Sequence, residues 1–281
     1  MLQWEEFKTC ATRLNVPTEP YHFSVILLSD FLTNCLNAMT YRHFHVYYEV
    51  LYFRCADHPE QSFFRVIPPG QRHMGALSSQ WDGYYLTTFQ FSFLRRSTEP
   101  SRSVLDNYQL LTEAADLPDT FGGGWLLEQV QKELHRQEDT CFEKLTALFQ
   151  LLLVELASVL PERQPVPKRK SRNTSDDLRA IYVEYFFHTS YTRPDCSRAQ
   201  LAQLLGLCER QVVRILDRVY HTTFRDLLLE YRMEAAESRR AVHGLSAEET
   251  AALVGYSSAA SFRKAYQRYH GHPYERKRDT F

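Results

Sequence analysis

Apolar positions recur with two different periods along the chain, and the change falls near its middle. Between residues 21 and 93 they come in short runs, 21–28, 46–53, 63–67 and 84–93, rich in aromatic and β-branched side chains. Turn formers separate the runs at Asp57-His-Pro59, Pro68-Pro-Gly70 and Asp82-Gly83. Short strands without intervening helices predict an all-β sandwich or barrel. Before them, Leu2, Phe7, Ala11 and Leu14 share one side of an amphipathic helix over 2–14. After them helices take over: a short one at 106–113, one from 125 to about 135, and a long one at 141–160. The long helix carries Phe142, Leu145, Leu148, Phe149, Leu152, Leu156 and Val159 in one stripe. That stripe is wider than packing on one small sheet requires, and part of it suits a dimer.

The rest of the chain reads as helices with clear starts. Thr174, Ser197, Thr223 and Ser246 each stand three residues before Asp, Gln, Asp and Glu respectively, a capping-box spacing followed by an apolar-periodic run. They predict an opening helix, two helix-turn-helix units at 197–216 and 246–266, and a long helix 224–242 between the units. Gly206 and Gly255 fall at the two turns, where a helix end needs a left-handed residue. The second helix of such a unit is the one that enters a DNA major groove.

Composition refines this division. The 281 residues are 44% hydrophobic and 24% charged, ordinary for a globular protein, with a net charge of −1. Residues 1–160 hold 12 Lys/Arg against 19 Asp/Glu, residues 161–173 hold 5 against 1, and residues 174–281 hold 16 against 14. An acidic front and a mildly basic rear place any nucleic-acid contact in the rear. The segment 161–173, with three prolines and five basic residues, reads as a stiff solvated linker. It separates domains at 1–160 and 174–281. The six cysteines show no zinc spacing and read as reduced thiols. The N-terminus lacks a signal-peptide pattern, and no run is long and apolar enough to span a membrane, so a cytoplasmic protein with no membrane partner is expected. Gly122-Gly-Gly124 lacks the strand–turn–helix context of a phosphate loop, and no nucleophile triad or nucleotide fingerprint is present.

Residues 175–278 resemble the DNA-binding domain of the AraC/XylS family of bacterial transcription regulators. The resemblance rests on Leu201-Ala202, Leu205-Gly206, Phe224, Arg232, Ala251, Val254-Gly255-Tyr256, Ser261-Phe262, Tyr266 and Gly271-His-Pro273. It implies double-stranded DNA as ligand, RNA polymerase as partner, and two recognition helices about one DNA turn apart. By position, the first offers Glu209, Arg210, Val213 and Arg214. The second offers Ser257, Ser258, Ala259, Ala260, Arg263 and Lys264. Arg210 and Arg214 lie one helical turn apart, and arginine suits a bidentate contact with guanine; pairing with Glu209 or Asp217 is the competing use. The sequence departs from the family pattern at Cys208, His221, Arg239, Arg240, Ala247, Thr250 and Arg276. His221 stands at a usual turn glycine, where a positive φ would carry a steric cost.

His43-x-His45-x-x-x-Glu49 and Pro68-x-Gly70-x-x-His73 resemble the two motifs of the cupin barrels, with Leu77 where an Asn often ends the second. Alternation along an extended strand points His43, His45 and Glu49 to one face. With His73 they make a candidate three-histidine, one-carboxylate site for Fe, Mn, Zn or Ni. Tyr41, His43, His45, Tyr47, Glu49, His73, Phe89 and Phe91 also make up an aromatic effector pocket with a few polar groups. The expected fold is thus α+β in two domains, a cupin-like β-barrel with flanking helices followed by an all-α double helix-turn-helix. The expected protein is a homodimeric, sequence-specific transcription regulator, not an enzyme. A small organic effector controls it, with no cofactor or metal. The alternative is a metal-dependent cupin enzyme or metal sensor fused to a DNA-binding domain.

Overall fold

The computed structural model describes residues 1–29, 41–74, 84–96, 103–136, 139–161 and 177–275. The first half is one antiparallel sheet backed by helices. A short helix, α1 (Trp4–Thr9), leads into β1 (Ala11–Thr18) and β2 (Tyr21–Leu28). Then come β3 (Tyr48–Cys55), β4 (Phe63–Ile67) and the long β5 (Tyr84–Arg95). A short helix α2 (Asn107–Leu110), β6 (Ala115–Pro118), α3 (Gly123–Arg136) and α4 (Cys141–Val159) complete this half. The strand order is β1-β2-β5-β3-β4-β6, and β1 and β6 remain edges, so the described strands form an open sheet rather than a closed barrel.

The single helix expected over 2–14 is instead α1 followed by a strand. Ala11 to Thr18 pair residue by residue with Leu28 to Tyr21. That ladder outweighs the weak helical period, and it buries Leu14 and Val16 on the sheet's inner face. Period-two alternation then sorts the central strands. Val50, Tyr52, Phe89 and Phe91 join a core with Leu145, Phe149, Leu152 and Leu156 of α4. Glu49 and Gln90, opposite one another in the β3–β5 register, point to the other face. The triple glycine before α3 has a packing reason. A Cβ on Gly123 would come within 2.6 Å of the Phe64 ring. Asp119 meanwhile accepts hydrogen bonds from the Gly123 and Gly124 N–H groups at 2.7 and 2.8 Å.

The second half is helical: α5 (Asp177–Ser190), α6 (Arg198–Leu205), α7 (Glu209–Ile215), α8 (Phe224–His243), α9 (Ala247–Leu253) and α10 (Ala259–His270). Ser197 and Ser246 close capping boxes with Gln200 and Glu249, and Thr223 caps α8 by accepting from Asp226 N. Thr174, Arg276, Leu77 and nearly all of the linker 161–173 lie outside the described residues. In α5 every residue from Ala180 to Phe187 is buried, which marks a helix covered on all sides. Tyr182 and Tyr185 meet Trp4 and Phe7 of the first half, while Phe186 and Phe187 meet Phe224 and Tyr231 of α8. The two halves thus share one core, which runs from Phe7 and Tyr47 through α5 to Tyr266. Among the described residues, no helix is long and apolar enough to cross a membrane.

Candidate functional site

The first helix-turn-helix unit is α6 and α7, joined at Gly206 with φ 65° and ψ 32°. Leu201, Ala202, Leu205, Val212 and Ile215 bury the inner faces. That leaves Glu209, Arg210, Val213 and Arg214 exposed on one side of α7. Glu209 pairs with Arg198 at 2.7 Å, not with Arg210. Among the described residues, Arg210 and Arg214 have no ion-pair partner, so both guanidinium groups are available to an external acceptor. At the start of α7 the Cys208 N–H donates to Gln211 Oε1 at 2.9 Å. After α7 the chain makes a π-helical turn, Leu216–Tyr220, and ends in the left-handed region at His221, φ 53° and ψ 37°. The turn glycine position therefore does require a positive φ, and histidine occupies it.

The second unit is α9 and α10. Gly255, with φ +82°, cannot be replaced freely, because a Cβ there would lie 2.6 Å from Tyr191 O and 2.8 Å from the Arg232 guanidinium. Arg232 donates to Tyr191 O at 2.9 Å and to Arg193 O at 2.8 Å, tying this turn to the end of α5. The small residues Ala247 and Thr250 leave room that Tyr274 fills, its hydroxyl 2.7 Å from Thr250 Oγ1 and 3.0 Å from Leu245 O. Arg239 reaches the Tyr191 hydroxyl at 3.2 Å, and Arg240 pairs with Glu237, its Nε 2.8 Å from the carboxylate. Ser257, Ser258, Ala260, Arg263 and Lys264 are exposed and Ala259 is half-buried. Arg263 is engaged by Glu248 at 2.6 Å, and Lys264 has no ion-pair partner among the described residues. Arg268, one turn beyond Lys264 on the same helix, is also exposed.

The residues expected to line an effector pocket are split by the sheet. His43 and His73 form an isolated antiparallel bridge, with N–H to O distances of 2.8 and 2.9 Å. Gly70 N donates to His45 O at 2.7 Å, so the two histidine motifs are held together by backbone. The three rings lie 4.3 to 4.9 Å apart. Glu49 Oε2 is 3.1 Å from His73 Nε2 and 3.4 Å from His45 Nε2. Convergence is achieved by a bridge and a loop rather than by one extended strand, since β3 begins only at Tyr48. Tyr41 and Tyr47 border the cluster; Tyr41 Oη is 2.8 Å from His188 Nδ1 of α5. Phe89 and Phe91 instead lie on the opposite face, against Phe149 and Tyr48.

Sequence reasoning missed Glu184. This α5 residue is 1% exposed. His45 Nδ1 is 2.7 Å from its Oε2, Tyr220 donates to its Oε1 at 3.2 Å, and the Tyr47 hydroxyl also donates to it. A lone carboxylate inside an eight-residue buried run was the available signal. Burial alone would pull the His45 imidazole down, but the Glu184 and Glu49 carboxylates push it up to about 10. Burial, with repulsion from His45 and His73, holds His43 well below the usual imidazole range. Burial raises Glu49, but the His45 and His73 contacts outweigh it and hold the carboxyl well below its ordinary value. A cavity of about 10 Å³, room for about one water molecule, opens beside His43 between Tyr41, Tyr220, Leu227 and Tyr231.

Residues 201–279 match the family described as a helix-turn-helix domain. No curated protein matches the chain. Among solved structures, the chain is similar to the C-terminal domain of the two-component response regulator yesN from Fusobacterium nucleatum. The identity is 23%, over 33% of this chain and 89% of that one, with a TM-score of 0.32. It is also similar to a transcriptional regulator described by its AraC-type DNA-binding domain, from Chromobacterium violaceum, at 22% identity over 28% of this chain and 70% of that one, TM-score 0.27. Over most of its length it is similar to unsaturated fatty acid bound ToxT from Vibrio cholerae, at 12% identity, covering 92% of this chain and 93% of that one, TM-score 0.32.

Proposed function

We propose, on the premise that residues 201–279 are an AraC-type helix-turn-helix domain, that this DNA-binding regulator reads specific sequences under control of a small effector held by its N-terminal half. The observation that carries the reading is the exposed face of α7. There Arg210 and Arg214 stand one turn apart without an ion-pair partner among the described residues, while Val212 and Ile215 on the other side of the helix are buried. A guanidinium with no internal acceptor is free for bidentate contact with guanine. The second unit presents Ser257, Ser258, Ala259 and Ala260 at its tip, and these suit thymine methyls or phosphates. Lys264 suits phosphate.

The proposed division of labour runs along the chain. Residues 1–160 form the effector and dimerisation half and residues 174–281 the DNA-binding half, with 161–173 between them. The buried contacts of Glu184 and His188 with His45 and Tyr41 support a direct route from effector site to recognition helices. Exposed Trp125, Phe142 and Leu151 on α3 and α4 support a homodimer. A dimer places two DNA-binding halves on repeated half-sites. RNA polymerase is the partner through which such a regulator acts, in the cytoplasm where both reside.

Selection of binders from a random duplex library by the full chain tests the reading. A base-specific motif should emerge, and Arg210→Ala with Arg214→Ala should lose the preference at particular positions. Equal retention of all duplexes by the wild type would overturn it.

A further inference from the structure

An open groove of about 600 Å³ lies along α7, between the start of α5 and the turn that follows α7. Arg179 of α5, Arg214 of α7, Arg218 of the π-helical turn and His221 line it. Among the described residues of the lining, Asp217 is the one carboxylate, so the three guanidinium groups leave two positive charges in excess even with a neutral imidazole. Leu207 and Ile215 add an apolar patch on which a sugar can rest.

The turn that closes the groove is strained. Among the described residues, positive φ is otherwise taken by glycine, and His221 at φ 53° is the exception. Its N–H donates to Asp217 O at 3.1 Å, which holds the residue in that conformation. Glycine would adopt the same backbone without the clash of a Cβ. A side chain placed there despite that cost points to a use for the side chain. Imidazole and guanidinium groups do not attract one another; what they share is the ability to donate N–H hydrogen bonds to an anion.

Size and place name the anion. The groove has room for about twenty water molecules, far more than a lone inorganic anion fills. Its cations come from α5, α7 and the turn, which suits an extended polyanion. Arg214 belongs both to the groove and to the exposed face of α7. An α-helix with its side chains is about 10–12 Å across and the DNA major groove is about 12 Å wide, so the two phosphate backbones run along the flanks of a docked helix. A duplex read by Arg210 and Arg214 thus carries one backbone past Arg218 and His221.

We infer that this groove takes a phosphate backbone of the DNA duplex, with Arg179, Arg218 and His221 as phosphate contacts that fix the register of α7, and that His221 keeps a strained turn because its imidazole makes that contact. The inference rests on the reading of the chain as a sequence-specific DNA-binding regulator. It extends the interface beyond the two recognition helices to α5 and the turn after α7.

The test uses the full chain, the selected duplex and a duplex of unrelated sequence. His221→Gly should raise Tm slightly and yet weaken both duplexes alike by roughly 2–12-fold, the loss of one hydrogen bond. A merely structural histidine would not move stability and affinity in opposite directions. Arg218→Gln and Arg179→Gln should each weaken both duplexes and reduce the salt slope by about one. A methylphosphonate, which removes one phosphate charge, placed beside the α7 footprint should weaken the wild type more than Arg218→Gln. Unchanged duplex affinity in His221→Gly overturns the role of the histidine, and so does a fall in Tm together with affinity. Unchanged salt slopes in both arginine variants, or losses confined to one base position, overturn the groove as a backbone site. If inorganic phosphate binds the wild type and not the variants while duplex affinity is the same in all, the groove serves a free anion and the backbone contact is likewise overturned. A wild type that prefers no sequence, but whose general duplex affinity falls in these variants, supports the groove and sinks the sequence-specific reading instead.

Discussion

His45 of the sheet half and Glu184 of α5 meet through a 2.7 Å contact between Nδ1 and Oε2, deep inside the shared core. The Glu184 carboxylate also receives the hydroxyls of Tyr47 and Tyr220, so three buried donors depend on one side chain. Glu184→Ala should therefore destabilise the chain by about 3–5 kcal/mol, the cost of leaving buried partners uncompensated. Glu184→Gln, which keeps an acceptor oxygen, should cost clearly less. Urea titration of both variants checks the order; equal losses would mean that the carboxylate is not what holds the halves.

The φ of 53° at His221 predicts that this position gains stability from substitution. A side chain in the left-handed region costs about 1–2 kcal/mol, of which glycine's greater chain entropy takes back roughly 0.5–1. His221→Gly should raise Tm slightly and His221→Val should lower it. A drop with glycine would show that the imidazole makes contacts worth more than the strain.

Gly255 predicts the opposite sign. Its φ of +82° and the 2.6 Å approach of an added Cβ to Tyr191 O combine strain with a backbone clash. Gly255→Ala should cost at least about 2 kcal/mol and loosen α9 against α10. Amide exchange across 247–270 should quicken; unchanged protection there would rule out the clash.

Arg214 and Lys264 should separate by the kind of affinity they supply. Arg214→Ala should cost about 1–3 kcal/mol on the selected duplex and relax one base position. Lys264→Ala should weaken all duplexes alike and reduce the salt slope by about one. Titrations at several salt concentrations distinguish the two, and a base-selective loss at Lys264 would reverse the assignment.

How much was legible depended on the range of the interaction involved. The strands 21–28 and 63–67 coincide with β2 and β4 because turn formers beside them are local signals. Ser197, Thr223 and Ser246 marked helix starts for the same reason, since a cap is read three residues away. Leu14 failed as a helix position because its partner, Val25, lies across a hairpin whose ladder no local period records. Phe89 and Phe91 are expected in the histidine pocket from their aromatic character, yet alternation about Gln90 separates them from Glu49's face in the β3–β5 register. Glu184 was illegible as a site residue because His45 is 139 residues away in sequence. Only its isolation among Ala180–Phe187 hinted that a buried partner existed.

The most direct test of DNA recognition by α7 and α10 is a hydroxyl-radical footprint of the full chain on its selected duplex. The two recognition helices should protect two patches on one face, about one helical turn or 10 base pairs apart. Arg210→Ala with Arg214→Ala should erase the patch under α7 and leave the other in place. Uniform protection without pattern, or a footprint unchanged by those substitutions, would contradict the account.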